Sequence, residues 1–335
     1  MSEPRILAVI LNYQTPDMTL SSAESALAAL EGLDGELVIV DNDSGDGSFE
    51  TLTNAVAAKG WPVRVLQSGN NGGFGAGNNF GIRAGRSDGK PADFYYILNS
   101  DAFPAEDAIL RLKDYLISHP NVGFAGSYIH GPDGVAHDTA FRFPSALGEL
   151  EGAMRFGPVS RLLRRHIVPL PVPEETVIVD WLAGASMMMR ASVLDEIGLF
   201  DESFFLYFEE TDLCLRAAKA GWPTVYVRDS AVEHIGSVST GMKEWARVPS
   251  YWFDSRWHYF SKNYNVLYAV LASVLHLSGG IVYRLRCFVE RKQPQIAPRF
   301  LRHLAGHTAV SLLKGRRRTK TQTYPPVATA QGTSK

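Results

Sequence analysis

The stretch "YFEETDLCLRAAKAG" gathers Glu209, Glu210 and Asp212 into one turn at the start of a helical pattern whose apolar positions are Leu206, Phe208, Leu213 and Leu215. Acids at a helix start are favoured by the helix dipole, and that alone can account for such a cluster. Crowded carboxylates also resist joint ionisation, which raises one of them toward the pKa of a working general base. Glu209 and Glu210 are both candidates. Far upstream, "YYILNSDAFP" is an apolar run that breaks into Asn99, Ser100 and Asp101. A strand-end Asp commonly caps or turns, but Mg²⁺ and Mn²⁺ also prefer carboxylate oxygen and borrow further ligands from a phosphate substrate. His234, which closes "AVEH", can add a neutral imidazole ligand or be structural.

In "VIVDNDSGDGS", Asp41 directly follows an apolar strand and lies too early to cap the next helix, for which Asp46 or Ser48 is better placed. It is free to accept a hydrogen bond from a base N–H or a sugar hydroxyl. The run "NNGGFGAGNNFGIRAG" invites comparison with a dinucleotide loop. Counting from Gly75, however, Phe80 stands where G-x-G-x-x-G needs glycine, and the run follows the third strand rather than the first. The glycines either make a tight loop or let the amides of Asn71 and Asn78 approach a nucleotide.

These groups need a frame that brings distant strand ends together. "RILAVILNY", "ELVIVDND", "VRVLQS" and "FYYILNSD" read as strands, separated by the helical patterns "PDMTLSSAESALAAL", "SFETLTNAVAAKG" and the one after the glycine run. Thr15 and Pro16 supply an N-cap and a first-turn proline. This alternation predicts an α/β fold with a mostly parallel sheet, helices on both faces and ligands beyond the carboxyl ends of the strands. Asn12, Asp41 and Asp101 then share one edge. After the helix "AEDAILRLKDYLISHP", "VGFAGSYIHGPDGVAHD" reads as two short strands around a Pro-Asp-Gly turn. Residues 144–175, rich in Pro and Arg, read as a mobile loop, and order returns from "TVIVDWLAGASMMMR" onward.

The chain has 335 residues, 45% hydrophobic and 20% charged, enough for a large core. Cys214 and Cys287 cannot form a disulfide framework, and a reducing cytoplasm fits. "MSEPRILAVILNY" lacks the basic stretch of a secretory signal. The formal charge of −2 hides an uneven distribution: from Arg284 onward 12 Lys and Arg face one acid, Glu290. Just before this segment, "VLYAVLASVLHLSGGIV" (266–282) is apolar and uncharged. A core helix is one reading; the adjoining cations favour a helix lying in or dipping into an anionic leaflet, and no nucleic acid partner is expected. The last residues, 316–335, read as a basic disordered tail.

Taken in order, "ILNYQTPD", "VIVDNDSGDGS", "NNGGFGAGNN", "YILNSD", "WLAGASMMMR", "GLFDESFFLYFEETDLCLR" and "EHIGSVST" resemble the inverting nucleotide-sugar glycosyltransferases of family 2, which have the GT-A fold. The last three look like those of bacterial rhamnosyltransferases that extend lipid-linked glycans. The resemblance implies a Rossmann-like mixed, mostly parallel sheet over 1–245, with a nucleotide-binding half (1–102), an acceptor-binding half (103–245) and a helical membrane-associating region (246–315). It implies that Asn12 and Tyr13 line the nucleotide pocket with Asn71 and Asn78, and that Asp41 contacts the pyrimidine base. Asn99, Ser100 and Asp101 occupy the family's D-x-D place with only the last acid kept. Asp101 and His234 would bind Mg²⁺ or Mn²⁺ on the donor diphosphate. Glu210 stands where the family has its catalytic Asp, with Glu209 beside it. Trp181, Gly184 and Ala185 would lie near the acceptor, where an indole can stack on a sugar, although core packing also explains Trp181.

The implied activity is metal-dependent transfer of a sugar, L-rhamnose from dTDP-rhamnose first and a UDP-sugar second. The acceptor would be a glycan or a lipid-linked glycan at the inner face of the cytoplasmic membrane, in cell-surface polysaccharide synthesis. "SRWHYF" is similar to the Q-x-x-R-W motif of processive synthases, but Phe253 stands at the Gln place. A nucleotidyltransferase would need a basic glycine loop after the first strand, which "NYQTPD" lacks. A membrane-bound sugar-binding scaffold without activity would have lost the acids, yet Asp101 and Glu210 are present.

Overall fold

The computed structural model describes residues 3–236 and 247–314. Strand β1 (Ile6–Asn12) is apolar up to Asn12 because layers cover both its faces. Around it, β2 (Gly35–Asp41), β3 (Val63–Gln67) and β4 (Phe94–Asn99) give the order β3-β2-β1-β4, all parallel. Helices α1 (Pro16–Ala29), α2 (Ser48–Lys59) and α3 (Phe74–Ala84) make the crossovers. The chain continues through β5 (Ala102–Pro104), α4 (Ala108–Ser118), β6 (Phe124–His130), β7 (Ala140–Phe141), α5 (Ala146–Met154) and α6 (Gly157–Leu162). Next come β8 (Val177–Val179), β9 (Trp181–Leu182), β10 (Ser186–Arg190), α7 (Ala191–Ile197), α8 (Glu209–Lys219) and β11 (Thr224–His234).

The sheet runs on from β4 as β10-β6-β11-β5, with β8 on β11; β7 and β9 form a separate pair. Its four parallel ladders run five to seven residue pairs each and its four antiparallel ladders three to five, so the sheet is mixed and mostly parallel. Ala23, Ala26, Leu52 and Leu112 pack on one face from α1, α2 and α4. Ile82, Leu194, Leu213 and Cys214 pack on the other from α3, α7 and α8. This is a three-layer arrangement, with Cys214 buried inside it.

Three expectations are corrected. Residues 144–175 are not a loop throughout: Ser145 caps α5 by accepting from the Gly148 N–H at 3.1 Å, and α5 and α6 follow. Thr15 precedes α1 but makes no side-chain cap; its hydroxyl lies 3.5 Å from Asn12 Oδ1 and 3.4 Å from Ser100 Oγ instead. The glycines of the 70–85 run are mainly packing devices. A Cβ on Gly77 would overlap Leu11, one on Gly81 would come within 2.6 Å of Val9, and one on Gly73 would overlap the Phe205 carbonyl. Gly77 and Gly81 thus let the helix approach the sheet closely, and Gly73 lets the loop before α8 come against the run.

Three helices complete the described chain: α9 (Ser250–Asn263), α10 (Val266–Val289) and α11 (Phe300–Lys314). The helix continues seven residues beyond Val282, through Arg284 and Arg286, and Asn265 caps it by accepting from the Tyr268 N–H at 2.8 Å. Gly279 permits contact with α5, since a Cβ there would meet the Leu150 carbonyl at 2.7 Å. Ser237 to Thr240 of "EHIGSVST", the boundary at 245/246 and the tail at 316–335 lie outside the described residues.

Candidate active site

A cleft of about 1070 Å³ opens beyond the carboxyl ends of β1, β2 and β4, where strand order changes direction. Eleven of the candidate residues line it: Tyr13, Asn71, Asn99, Ser100, Asp101 and His234 in one group, with Trp181, Gly184, Ala185, Glu209 and Glu210 in another. Asn12, Asp41 and Asn78 do not line it and are fully buried.

The β1–β2 register sets Asn12 opposite Asp41. Asn12 Nδ2 donates to Asp41 Oδ1 at 2.7 Å, the Ser44 hydroxyl donates to the same oxygen at 2.6 Å, and the Ser44 N–H reaches Oδ2 at 3.2 Å. The Thr19 hydroxyl in turn donates to Asn12 Oδ1 at 2.7 Å. Asp41 is thus not the unengaged acceptor its position suggested; it fixes the loop after β2. Asn78 donates to the Phe74 carbonyl at 3.0 Å inside α3. The neighbour of Asp41 does face the cleft: Asn42 donates to Asn71 Oδ1 at 3.0 Å and to the Gly73 carbonyl at 3.3 Å, joining two strand-end loops.

Asp101 and His234 come from opposite ends of the sequence pattern and meet because β5 pairs with the end of β11, His234 opposite Ala102. His234 Nε2 lies 3.0 Å from Asp101 Oδ1 and 3.3 Å from Asn99 Nδ2, and the Ile235 N–H holds the Asp101 carbonyl at 3.1 Å. One carboxylate oxygen and one imidazole nitrogen thus converge at a cleft wall. That donor set fits Mn²⁺ or Mg²⁺ taking its remaining ligands from a diphosphate and water. No group of three or more His, Cys, Asp and Glu is present among the described residues, so the protein alone offers a partial shell.

Opposite, two successive non-glycine residues, Tyr207 (φ 70°) and Phe208 (φ 71°), take the left-handed conformation just before α8. Such strain persists only where packing over-determines it. Phe208 is held between Trp252 and Tyr259. Behind it Asp212, fully buried, accepts from Arg216 Nε at 2.9 Å, Lys262 Nζ at 2.7 Å and Asn263 Nδ2 at 2.8 Å, which pins the first turn of α8 to α9. Asp212 is therefore a structural anchor. Burial, then the charge of Glu210, pushes the Glu209 carboxyl well above the usual range, and its Oε2 has no hydrogen-bond partner among the described residues. Burial also raises Glu210, tempered by its own N–H and by the Gly184 N–H, which donates to Oε1 at 3.2 Å. Two adjoining carboxyls, Glu209 pushed up further than Glu210, make an arrangement suited to proton abstraction.

Trp181 offers less than expected: Phe141 stacks on its ring at 4.2 Å, and its indole N–H is spent on the Arg142 carbonyl at 2.9 Å. Ala185 accepts from the Asn99 N–H at 3.0 Å, tying the two groups of residues together. The sequence reading missed Asn42, Glu149 and Trp252, which also line the cleft. Asn42 was visible beside Asp41; Glu149 was hidden in the segment read as a loop.

Among known proteins, the chain is 30% identical over 246 residues to N-acetylglucosaminyl-diphospho-decaprenol L-rhamnosyltransferase of Mycobacterium tuberculosis, covering 70% of this chain and 78% of that one. It is 30% identical over 161 residues to rhamnosyltransferase WbbL of Escherichia coli, covering 46% and 58%. Its fold matches the mannosyltransferase PcManGT of Pyrobaculum calidifontis, solved with GDP-Man and Mn²⁺, with a TM-score of 0.54 over 93% of this chain and 88% of that one at 14% identity. Residues 4–250, the part of the chain that contributes the strands of the sheet, match the family model described as glycosyltransferase like family 2, and the chain belongs to that family of glycosyltransferases.

Proposed function

We propose that the protein transfers L-rhamnose from dTDP-rhamnose to a hydroxyl of a glycan or lipid-linked glycan, with inversion, in cell-surface polysaccharide synthesis at the cytoplasmic face of the membrane. The observation that carries this reading is one cleft holding the Asp101–His234 pair and the Glu209–Glu210 pair on separate elements, joined through Asn99, Ala185 and Gly184. The two similar rhamnosyltransferases support rhamnose as the sugar.

In this mechanism Glu210 accepts the proton of the acceptor hydroxyl as that oxygen bonds to the anomeric carbon. The carbon–oxygen bond to the diphosphate breaks, and its electron pair leaves with the nucleoside diphosphate. A single displacement of this kind inverts the anomeric centre. Asp101 and His234 would hold a divalent cation, Mn²⁺ or Mg²⁺, which when bound supplies positive charge to the departing diphosphate. Asn71, Tyr13, Asn99 and Ser100 line the donor's end of the cleft. Asn12, Asp41 and Asn78 support that end from beneath. Gly184, Ala185 and Trp181 border the acceptor, and Glu209, the carboxyl that burial and Glu210 push up further, lies beside the base. Residues 1–102 then form the nucleotide half and 103–245 the acceptor half.

The test is to incubate the purified chain with Mn²⁺, a lipid-linked N-acetylglucosamine acceptor and a panel of nucleotide sugars, measuring released nucleoside diphosphate. Release with dTDP-rhamnose above all others is expected. A preference for a UDP-sugar would overturn the donor assignment, and no turnover across the panel would overturn the activity.

A further inference from the structure

Helix α10 has two unlike faces. The inner one is built of small residues, Ala269, Ala272, Ser273, Gly279 and Gly280, all buried. It is also pinned by polar contacts. The Ser273 hydroxyl accepts from Arg256 Nη1 at 3.0 Å, His276 Nδ1 lies 2.6 Å from Glu149 Oε2, and the Tyr268 hydroxyl accepts from the Ala146 N–H at 3.0 Å. Arg286 donates to the Arg155 carbonyl at 2.7 Å and lies over the Phe156 ring, which brings the start of α6 beside the far half of α10.

The outer face is mostly apolar, interrupted in its middle by exposed Ser278. Leu267, Leu271, Val274, Ile281, Leu285 and Phe288 recur at helical spacing and are exposed, Leu267 and Phe288 by 81% and 83%. The 24-residue helix makes this stripe about 36 Å long. Phe156 and Leu162 at the ends of α6 are exposed too. A stripe of this size on a water-facing surface marks an interaction site.

Charge identifies the occupant. Arg155, Arg161, Arg164 and Arg165 are exposed around α6, and between Arg284 and Lys314 Glu290 is the single acid among seven Lys and Arg. A second copy meeting this face through a two-fold axis would set like-charged rims against each other. An anionic leaflet complements both the stripe and its rim. The length of α10 would let it span, but a spanning pose would pull Ser273 and His276 away from Arg256 and Glu149, side chains that are only 1% and 13% exposed, and leave that pair without these partners in the interior.

We propose that α10 and α6 form a monotopic seat lying in the plane of an anionic lipid leaflet, with α10 half-embedded along its length and not crossing. This rests on the membrane association proposed above and adds the contacting face and its orientation. Glu149, which anchors the inner face, also lines the cleft, so the seat and the acceptor site share a wall.

The full chain is sedimented with vesicles of phosphatidylcholine alone and of phosphatidylcholine with phosphatidylglycerol. Wild type binds the mixed vesicles preferentially. The Leu285→Glu/Phe288→Glu variant loses at least about tenfold of this partition, while Ile178→Glu, an exposed apolar site on β8, leaves it unchanged. Spin labels at Leu267→Cys, Ser278→Cys and Leu285→Cys, with Cys214 and Cys287 buried, report one shared shallow depth. Depths graded toward the bilayer centre overturn the in-plane orientation. Binding that survives the double substitution overturns the seat, as does a wild-type dimer that binds no vesicles and that the substitution dissolves. These measurements contain no donor or acceptor, so a failed transferase assay leaves them standing.

Discussion

The backbone N–H of Gly184 donates to Glu210 Oε1 at 3.2 Å, so the loop proposed to border the acceptor also aims the candidate base. The same glycine leaves little room, since a Cβ added to it would come within 3.0 Å of Phe74 and 3.1 Å of Glu210 Cγ. Gly184→Ala must therefore push one of them aside. A displacement of the base by a fraction of an ångström to an ångström lowers kcat by up to about 10²-fold. Donor affinity, read by calorimetry, should change less than kcat, because the atoms a Cβ would meet belong to Phe74 and Glu210 and not to Asp101 or His234.

Glu210→Gln keeps the shape and the Gly184 contact but cannot take a proton. Loss of a general base costs about 10²–10⁴-fold in rate, with donor binding nearly intact. Single-turnover transfer measured beside donor affinity separates the two effects. If Glu209→Gln produces this pattern and Glu210→Gln does not, the base is Glu209.

Glu209 has the opposite signature in stability. Its folded pKa is raised by burial, then by Glu210, so the fold holds a proton that the unfolded chain releases near the ordinary carboxylate value. Stability from this group is full below the unfolded pKa and is lost as pH rises toward the folded one. Glu209→Gln removes that loss. The variant should unfold at higher urea than wild type near neutral pH, and the two curves should converge as pH falls through about 4.

Much of this site could be read from strand ends. The β1, β2 and β4 patterns put Asn12, Asp41 and Asp101 on one edge, and the β11 pattern delivered His234 to the same place. Whether each side chain faces the cleft or its neighbour was not readable, because that depends on register. Asn12 lies directly opposite Asp41, so the two bond to each other. The strained Tyr207–Phe208 pair and the role of Asp212 depend on α9, whose contribution carries no local motif. The partners Glu149 and Arg256 lie 107 residues apart on helices that meet only in the fold.

The Asp101–His234 pair predicts a metal requirement. Chelation should abolish transfer and added Mn²⁺ should restore it. Asp101→Ala should not be restored, and its Mn²⁺ spectrum in the presence of nucleoside diphosphate should match that of free metal–nucleotide. His234→Ala keeps the carboxylate and should weaken Mn²⁺ binding rather than abolish it. Full activity in chelator would overturn the requirement.

Arg256 sits 3.1 Å from Glu149 Oε2, with its side chain 1% exposed. Burial acts to raise the Glu149 carboxyl, but Arg256 and His276 more than offset it and hold it at about 2. A carboxyl lowered on folding stabilises above its unfolded value, 4.5, and that stability is lost as pH falls from there toward 2. The amount is on the order of 3 kcal/mol. Removing the cation with Arg256→Met leaves a buried carboxylate with His276 alone, which should cost about 3–5 kcal/mol at neutral pH. Because protonated Glu149 no longer needs the cation, the gap between wild type and variant should narrow on acidification. Urea midpoints taken from neutral pH down to about pH 3 test this directly, and a gap that stays constant across the range would show that Arg256 acts through packing rather than charge.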